Sequence, residues 1–141
     1  MTKLLIVEDD SGYSYSLMRM LGDKFKVHSV ATLGQALAAF TMGTFNAILL
    51  DIGLPDSPPD RTVNVIKKTH PECAIVVLSG HENPDRIKQC IHDSASSYLI
   101  KGRDDQDAHH LERAINLAIH SNEASQKVEQ VRKAIEKETI I

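Results

Sequence analysis

The sequence predicts an α/β protein: a doubly wound parallel sheet with helices on both faces. Two observations carry that reading. Five short apolar, β-branched runs alternate with helix-like stretches, and most of the runs are apolar throughout rather than at every second residue. The second feature marks strands buried on both faces, as helices packed on either side of a parallel sheet would bury them.

The elements follow in order. "KLLIV" (3–7) is the first strand, and "SGYSYSLMRML" (11–21) is a helix leading to Gly22. "FKVHSV" (25–30) alternates more than the other runs and suits an edge strand. "TLGQALAAFTMG" (32–43) is a helix opened by an N-cap at Thr32 and stopped by Gly43. "FNAILL" (45–50) is the third strand, and "DRTVNVIKKTH" (60–70) is a helix running into Pro71. "AIVVL" (74–78) precedes a helix over 83–92, with Asn83 as N-cap and Pro84 at its first position. "SSYLI" (96–100) is the fifth strand, and a last helix begins near Asp104 or Asp105.

The 141 residues suit one domain with a real core. A net charge of −3 gives no electrostatic case for nucleic acid or an anionic membrane as partner. No apolar run approaches the ~20 residues of a membrane span. The N-terminus does not read as a secretory signal, and Cys73 and Cys90 form no CxxC pair or metal-ligand spacing. A reducing, cytoplasmic location is the expectation.

The last helix is longer than its packing role needs. Covering the sheet takes about 15 residues, whereas the helical composition runs from about 105 to 138. Ala114, Leu117, Ser121, Ala124, Val128, Val131 and Ile135 recur at spacings of 3 and 4, a heptad seam. The expected organisation is therefore a domain over 1–120 and a helical extension over 121–141. The extension reads as a dimerising coiled coil or a helix leading to a further domain, against the plainer alternative of a solvated tail. The chain stops on "KETII" without a capping signal.

Ligands in open parallel sheets sit at the carboxyl ends of the strands. Glu8, Asp9 and Asp10 follow the first strand, Asp51 the third, Ser79 and Gly80 the fourth, and Lys101 and Gly102 the fifth. The second strand offers nothing comparable. The acids in "KLLIVEDDSG" have two readings: a solvated turn with a helix cap, or a cation site. Clustered carboxylates without Cys or His are hard oxygen ligands, suited to Mg²⁺ or Mn²⁺. Such a cation together with a lysine point charge holds phosphoryl groups in transfer, and a carboxylate can itself be the nucleophile. Asp51, alone on a central strand, is the natural nucleophile, with Glu8 and Asp9 holding the metal.

"LLIVEDD", "AILLDIGLPD", "IVVLSG" and "YLIKG", in this order, resemble the receiver domain of two-component response regulators over residues 3 to about 120. The resemblance implies strand order 2-1-3-4-5 with five flanking helices, and phosphoryl transfer from a sensor histidine kinase or phosphotransfer protein. It implies Asp51 as phospho-acceptor, with Glu8, Asp9, Asp51 and the main-chain carbonyl of Gly53 around Mg²⁺. Asp10 falls at a variable position and reads as a helix cap. Ser79 matches the switch hydroxyl and Tyr98 the aromatic that rotates with it. Gly80 matches the position kept small for phosphate access, and Lys101 the residue that pairs with phosphoryl oxygens. Gly53 and His81 sit where lifetime is tuned, and Pro55 shapes the turn after the acceptor. Two departures stand out: "DSPPDRT" (56–62) lacks the usual glycine and is stiffened by Pro58 and Pro59, and Ser94-Ala95 replaces a usual Gly-Ala pair. "KG" before a long charged helix resembles receivers at the N-terminus of larger signalling proteins carrying kinase or nucleotide-cyclase domains.

The expected function is a phosphorylation switch for a downstream effector, with a homodimer through the last helix and no nucleic acid bound by this chain. It is a signalling domain rather than an enzyme. A receiver-fold docking module that works without phosphorylation is the alternative. An aspartyl-phosphate phosphatase would need a second acid where Gly53 stands. A flavodoxin-like redox domain would need a phosphate cradle where the "EDDS" acids repel phosphate.

Overall fold

The computed structural model describes residues 1–80 and 83–139. Five strands and five helices alternate: β1 (Lys3–Val7), α1 (Ser11–Leu21), β2 (Lys26–Val30), α2 (Leu33–Met42), β3 (Ala47–Leu50), α3 (Thr62–Thr69), β4 (Ala74–Ser79), α4 (Pro84–His92), β5 (Ser97–Ile100) and α5 (Ala108–Thr139). The strands form one sheet in the order β2-β1-β3-β4-β5, every neighbouring pair parallel. β2 is an edge strand, as its alternation predicts.

The sheet separates two cores. Leu5, Val7, Ile48, Leu50, Ile75 and Val77 face Ala36 of α2, Val63 and Ile66 of α3 and Cys90 of α4. Leu4, Ile6, Ala47, Leu49, Val76 and Leu78 face Leu17 and Leu21 of α1 and Leu111, Ile115 and Ala118 of α5. Adjacent strand residues thus feed opposite cores, which is why these strands are apolar at every position.

The caps read from sequence are made. Asp10 accepts the Tyr13 amide, Thr32 the Gln35 amide, and Asn83 those of Asp85 and Arg86. Gly22 is demanded by packing, since a Cβ there would lie 2.7 Å from the Met18 carbonyl oxygen. Ser94 adopts φ 79°, the left-handed conformation a glycine takes without penalty. The Ala95 amide returns to the Cys90 carbonyl and closes the end of α4.

Two helix starts differ from expectation. α3 begins at Thr62 rather than 60, because the Pro58–Arg61 turn intervenes, closed by the Arg61 amide on the Pro58 carbonyl. Thr62 is fully buried and bonds Ser57 and the Pro58 carbonyl. α5 begins at Ala108 rather than Asp104 or Asp105, and Asp107 caps it, accepting the His109 amide. Asp104 and Asp105 instead tie the preceding loop, accepting the Ile100 and Gly102 amides.

α5 runs unbroken past residue 120 to Thr139. Asn122, buried in its middle, accepts from Lys67 Nζ at 2.9 Å and donates to the Glu72 carbonyl at 2.8 Å. One turn on, Gln126 donates to the Pro71 carbonyl. The α3–β4 loop therefore clamps α5 where it leaves the sheet. Beyond the clamp the seam faces outward, with Val128, Val131 and Ile135 each more than half exposed, as is Leu117 before it. Among the described residues, no helix is long and apolar enough to cross a membrane.

Candidate functional site

Backbone hydrogen bonding continues just past the strand ends and fixes the polar residues there. The Glu8 amide donates to the Val30 carbonyl, the Asp51 amide to Val7 and the Lys101 amide to Ser79. The peptide units at residues 8, 51 and 101 thus belong to the rigid sheet, while their side chains project beyond it. The Asp51 carboxylate is further held by the Gly53 amide at 2.9 Å.

Lys101 joins what these strand ends present. Its ammonium donates to Glu8 at 2.9 Å and to Asp51 at 3.5 Å. The second Glu8 oxygen accepts the Asp10 amide. Glu8 is almost fully buried, and burial is the main cause that pushes its carboxyl up to about 7. Nearby Asp51 acts in the same direction, and Lys101 opposes both. Burial would depress the Lys101 ammonium, but the bond to Glu8 and the attraction of both carboxylates outweigh it and hold Lys101 above its ordinary range.

Carboxylate oxygens of Glu8, Asp9 and Asp51 lie within 4.8 Å of one another. Opposite ligands of Mg²⁺ stand about 4.2 Å apart, so a small inward adjustment makes these oxygens a ligand set. The donors are all hard oxygens, which fits Mg²⁺ or Mn²⁺. Asp10, exposed and engaged in capping, stands outside this group. Gly53 touches Asp51 through its amide.

Ser79 ends β4, buried, with its carbonyl on the Lys101 amide. Gly80 is exposed, and a Cβ there would meet no atom within 4 Å, so packing does not require the glycine. Tyr98 is half-buried on β5 against the α2–α3–α4 core. His81, expected to bear on lifetime, lies outside the described residues.

Two contributors escaped the sequence reading. Tyr13, in the first turn of α1, lies beneath Lys101, whose Nζ is 4.6 Å from the ring centroid. The Tyr13 hydroxyl donates to Asp105. Burial first, then the Asp105 carboxylate, holds that phenol well above its ordinary range. Asp56 spans the loop after Asp51 and the start of α2, accepting the Leu33 and Gly34 amides at 2.9 Å each. An aromatic among small polar residues in "SGYSYS" was the one available signal for Tyr13. Asp56 closes the "AILLDIGLPD" motif, but nothing in the sequence pointed to its bonds with the start of α2.

A family model for the response regulator receiver domain matches residues 4–116. The chain belongs to the response regulator receiver domain family. Receivers are signalling domains of two-component response regulators. The transcriptional regulatory protein KdpE of Staphylococcus aureus is 29% identical over 101 residues, 71% of this chain and 43% of KdpE. The nitrogen assimilation regulatory protein NtrX of Azorhizobium caulinodans is 31% identical over 101 residues, 70% of this chain and 22% of NtrX. The receiver thus spans less than half of these relatives. A CheY-like receiver from Methanospirillum hungatei has the same fold, with a TM-score of 0.78 at 24% identity, covering 89% of this chain and 98% of that one.

Proposed function

We propose that this receiver accepts a phosphoryl group on Asp51 from the phosphohistidine of a sensor histidine kinase or phosphotransfer protein, and thereby switches a partner-binding surface. The observation that carries the reading is the convergence of Lys101 on Asp51 and Glu8 beside Asp9. An Asp51 oxygen attacks phosphorus, the P–N bond breaks, and its electron pair leaves with the imidazole. The product is an acyl phosphate on Asp51. Glu8, Asp9, Asp51 and the Gly53 carbonyl would hold Mg²⁺, which when bound neutralises charge on the transferring group. Lys101 exchanges Glu8 for a phosphoryl oxygen. Gly80 leaves the approach open.

The Ser79 hydroxyl then turns to the phosphoryl group and Tyr98 follows, so that the α4–β5–α5 surface changes its partner preference. The 121–141 segment carries the change onward, either as a homodimer through the exposed seam at Val128, Val131 and Ile135, continued from Leu117, or as a lead into a further effector domain. A reducing cytoplasm suits Cys73 and Cys90, both buried free thiols.

Intact-mass measurement with acetyl phosphate and Mg²⁺ tests the reading. A labile phosphoryl adduct should form on the wild type, disappear with chelator and be absent from Asp51→Asn. Sedimentation of the same samples separates the two routes: a change in oligomeric state on phosphorylation marks the homodimer, and an unchanged state the lead into a further domain. No adduct together with beryllofluoride binding would point to a donor restricted to the cognate kinase. Neither adduct nor binding would leave a docking module that works without phosphorylation.

A further inference from the structure

An ammonium carries three donors. At Lys101, Glu8 and Asp51 engage the carboxylate side, and the Tyr13 ring lies 4.6 Å from Nζ. The same tyrosine reaches the lysine's own backbone by a second route. Its hydroxyl donates to one Asp105 oxygen, and the other accepts the Gly102 amide at 2.8 Å. Gly102, at φ 84°, makes the turn that brings Asp105 back over the sheet edge. Tyr13 thus supports the Lys101 side chain with its ring face and the following loop with its hydroxyl.

Packing alone does not account for this. The Tyr13 ring also packs, partly buried, against the α1–α5 core, but that packing does not call for a hydroxyl or for a ring face turned to a cation. A leucine would keep an apolar side chain against the core but would not attract a cation, whereas a phenol face does. A half-buried hydroxyl needs a partner, and Asp105 is that partner. A free lysine side chain samples many rotamers; one held between two carboxylates and a ring is already aimed at the group it must meet.

We propose that Tyr13 is a positioning residue for phosphoryl transfer to Asp51, its ring holding the Lys101 ammonium toward the acceptor and its hydroxyl fixing the loop from 101 to 105. The proposal rests on the phospho-acceptor reading above. Tyr13 acts through Lys101 and the loop that follows it.

The test is the rate of Asp51 adduct formation against acetyl phosphate concentration, at saturating Mg²⁺, for wild type, Tyr13→Phe, Tyr13→Leu and Tyr13→Ala. Tyr13→Phe keeps the ring and should stay within about threefold of wild type, while Tyr13→Leu and Tyr13→Ala should each fall about tenfold, about 1.4 kcal/mol of transition-state stabilisation. The loss should fall on the saturating rate rather than the half-saturating concentration, with Mg²⁺ affinity by calorimetry unchanged. Rescue by Phe but not by Leu separates the cation–π contact from packing, and it stands even if Tyr13→Ala fails to fold. Tyr13→Leu reacting as fast as wild type would overturn the proposal while leaving the phospho-acceptor reading intact. No adduct on wild type, with neither acetyl phosphate nor beryllofluoride, would sink that reading and this proposal with it.

Discussion

Lys101 is bonded more closely to Glu8, at 2.9 Å, than to Asp51, at 3.5 Å. The lysine thus rests on a neighbouring acid, within reach of the acceptor. This suits a cation that must be available to a group not yet present, since pairing at Glu8 keeps the ammonium charged and local. Lys101→Ala should slow adduct formation on Asp51 at least tenfold, about 1.4 kcal/mol. Mg²⁺ binding by calorimetry should persist in that variant, because the oxygens of Glu8, Asp9 and Asp51 remain.

Glu8 gives the metal-free protein a distinctive pH response. Its carboxyl is raised from 4.5 to about 7. Between those values the folded state binds more protons than the unfolded state, so unfolding free energy falls as pH rises through the interval. Outside it the group contributes no slope. Urea denaturation with chelator present should show a loss on the order of 2 kcal/mol from pH 4.5 to 7. Glu8→Gln should flatten that slope. An unchanged slope in Glu8→Gln would place the proton elsewhere.

Ser94 occupies the left-handed region at φ 79°. Its amide and that of Ala95 bond Ile91 and Cys90, so the conformation belongs to the end of α4 and cannot relax cheaply. Ser94→Gly should stabilise the fold by about 1 kcal/mol, read as a higher urea midpoint with an unchanged m-value. Ser94→Val should do the opposite.

Asn122 predicts a different loss. Removing its amide leaves Lys67 Nζ without its 2.9 Å partner and the Glu72 carbonyl without its donor. Asn122→Ala should cost about 1–3 kcal/mol. Hydrogen exchange should quicken in α5 beyond residue 122 more than in Leu111–Ala118, which the sheet core holds. Gln126→Ala, near the surface, should cost far less.

The strands and the chemistry at their ends were legible because both depend on local residue type. A run such as "AILL" has to be buried on both faces, and an acid directly after it has to project from the sheet edge. The start of α5 was not legible, because Asp104, Asp105 and Asp107 are equivalent as candidate caps. Only the folded loop assigns the first two to the Ile100 and Gly102 amides and leaves the cap to Asp107. Tyr13 and Asn122 were missed for a similar reason. Tyr13 meets Asp105 across 92 positions and Asn122 meets Lys67 across 55, so neither pairing has a local signature.

The most direct measurement is chemical trapping of the acceptor. After brief reaction with acetyl phosphate and Mg²⁺, borohydride reduces an aspartyl phosphate to homoserine, and peptide mapping locates the converted residue. The account predicts homoserine at position 51 alone, with none formed when metal is chelated. Conversion at another acid, or a stable adduct that borohydride leaves untouched, would contradict Asp51 as the phospho-acceptor.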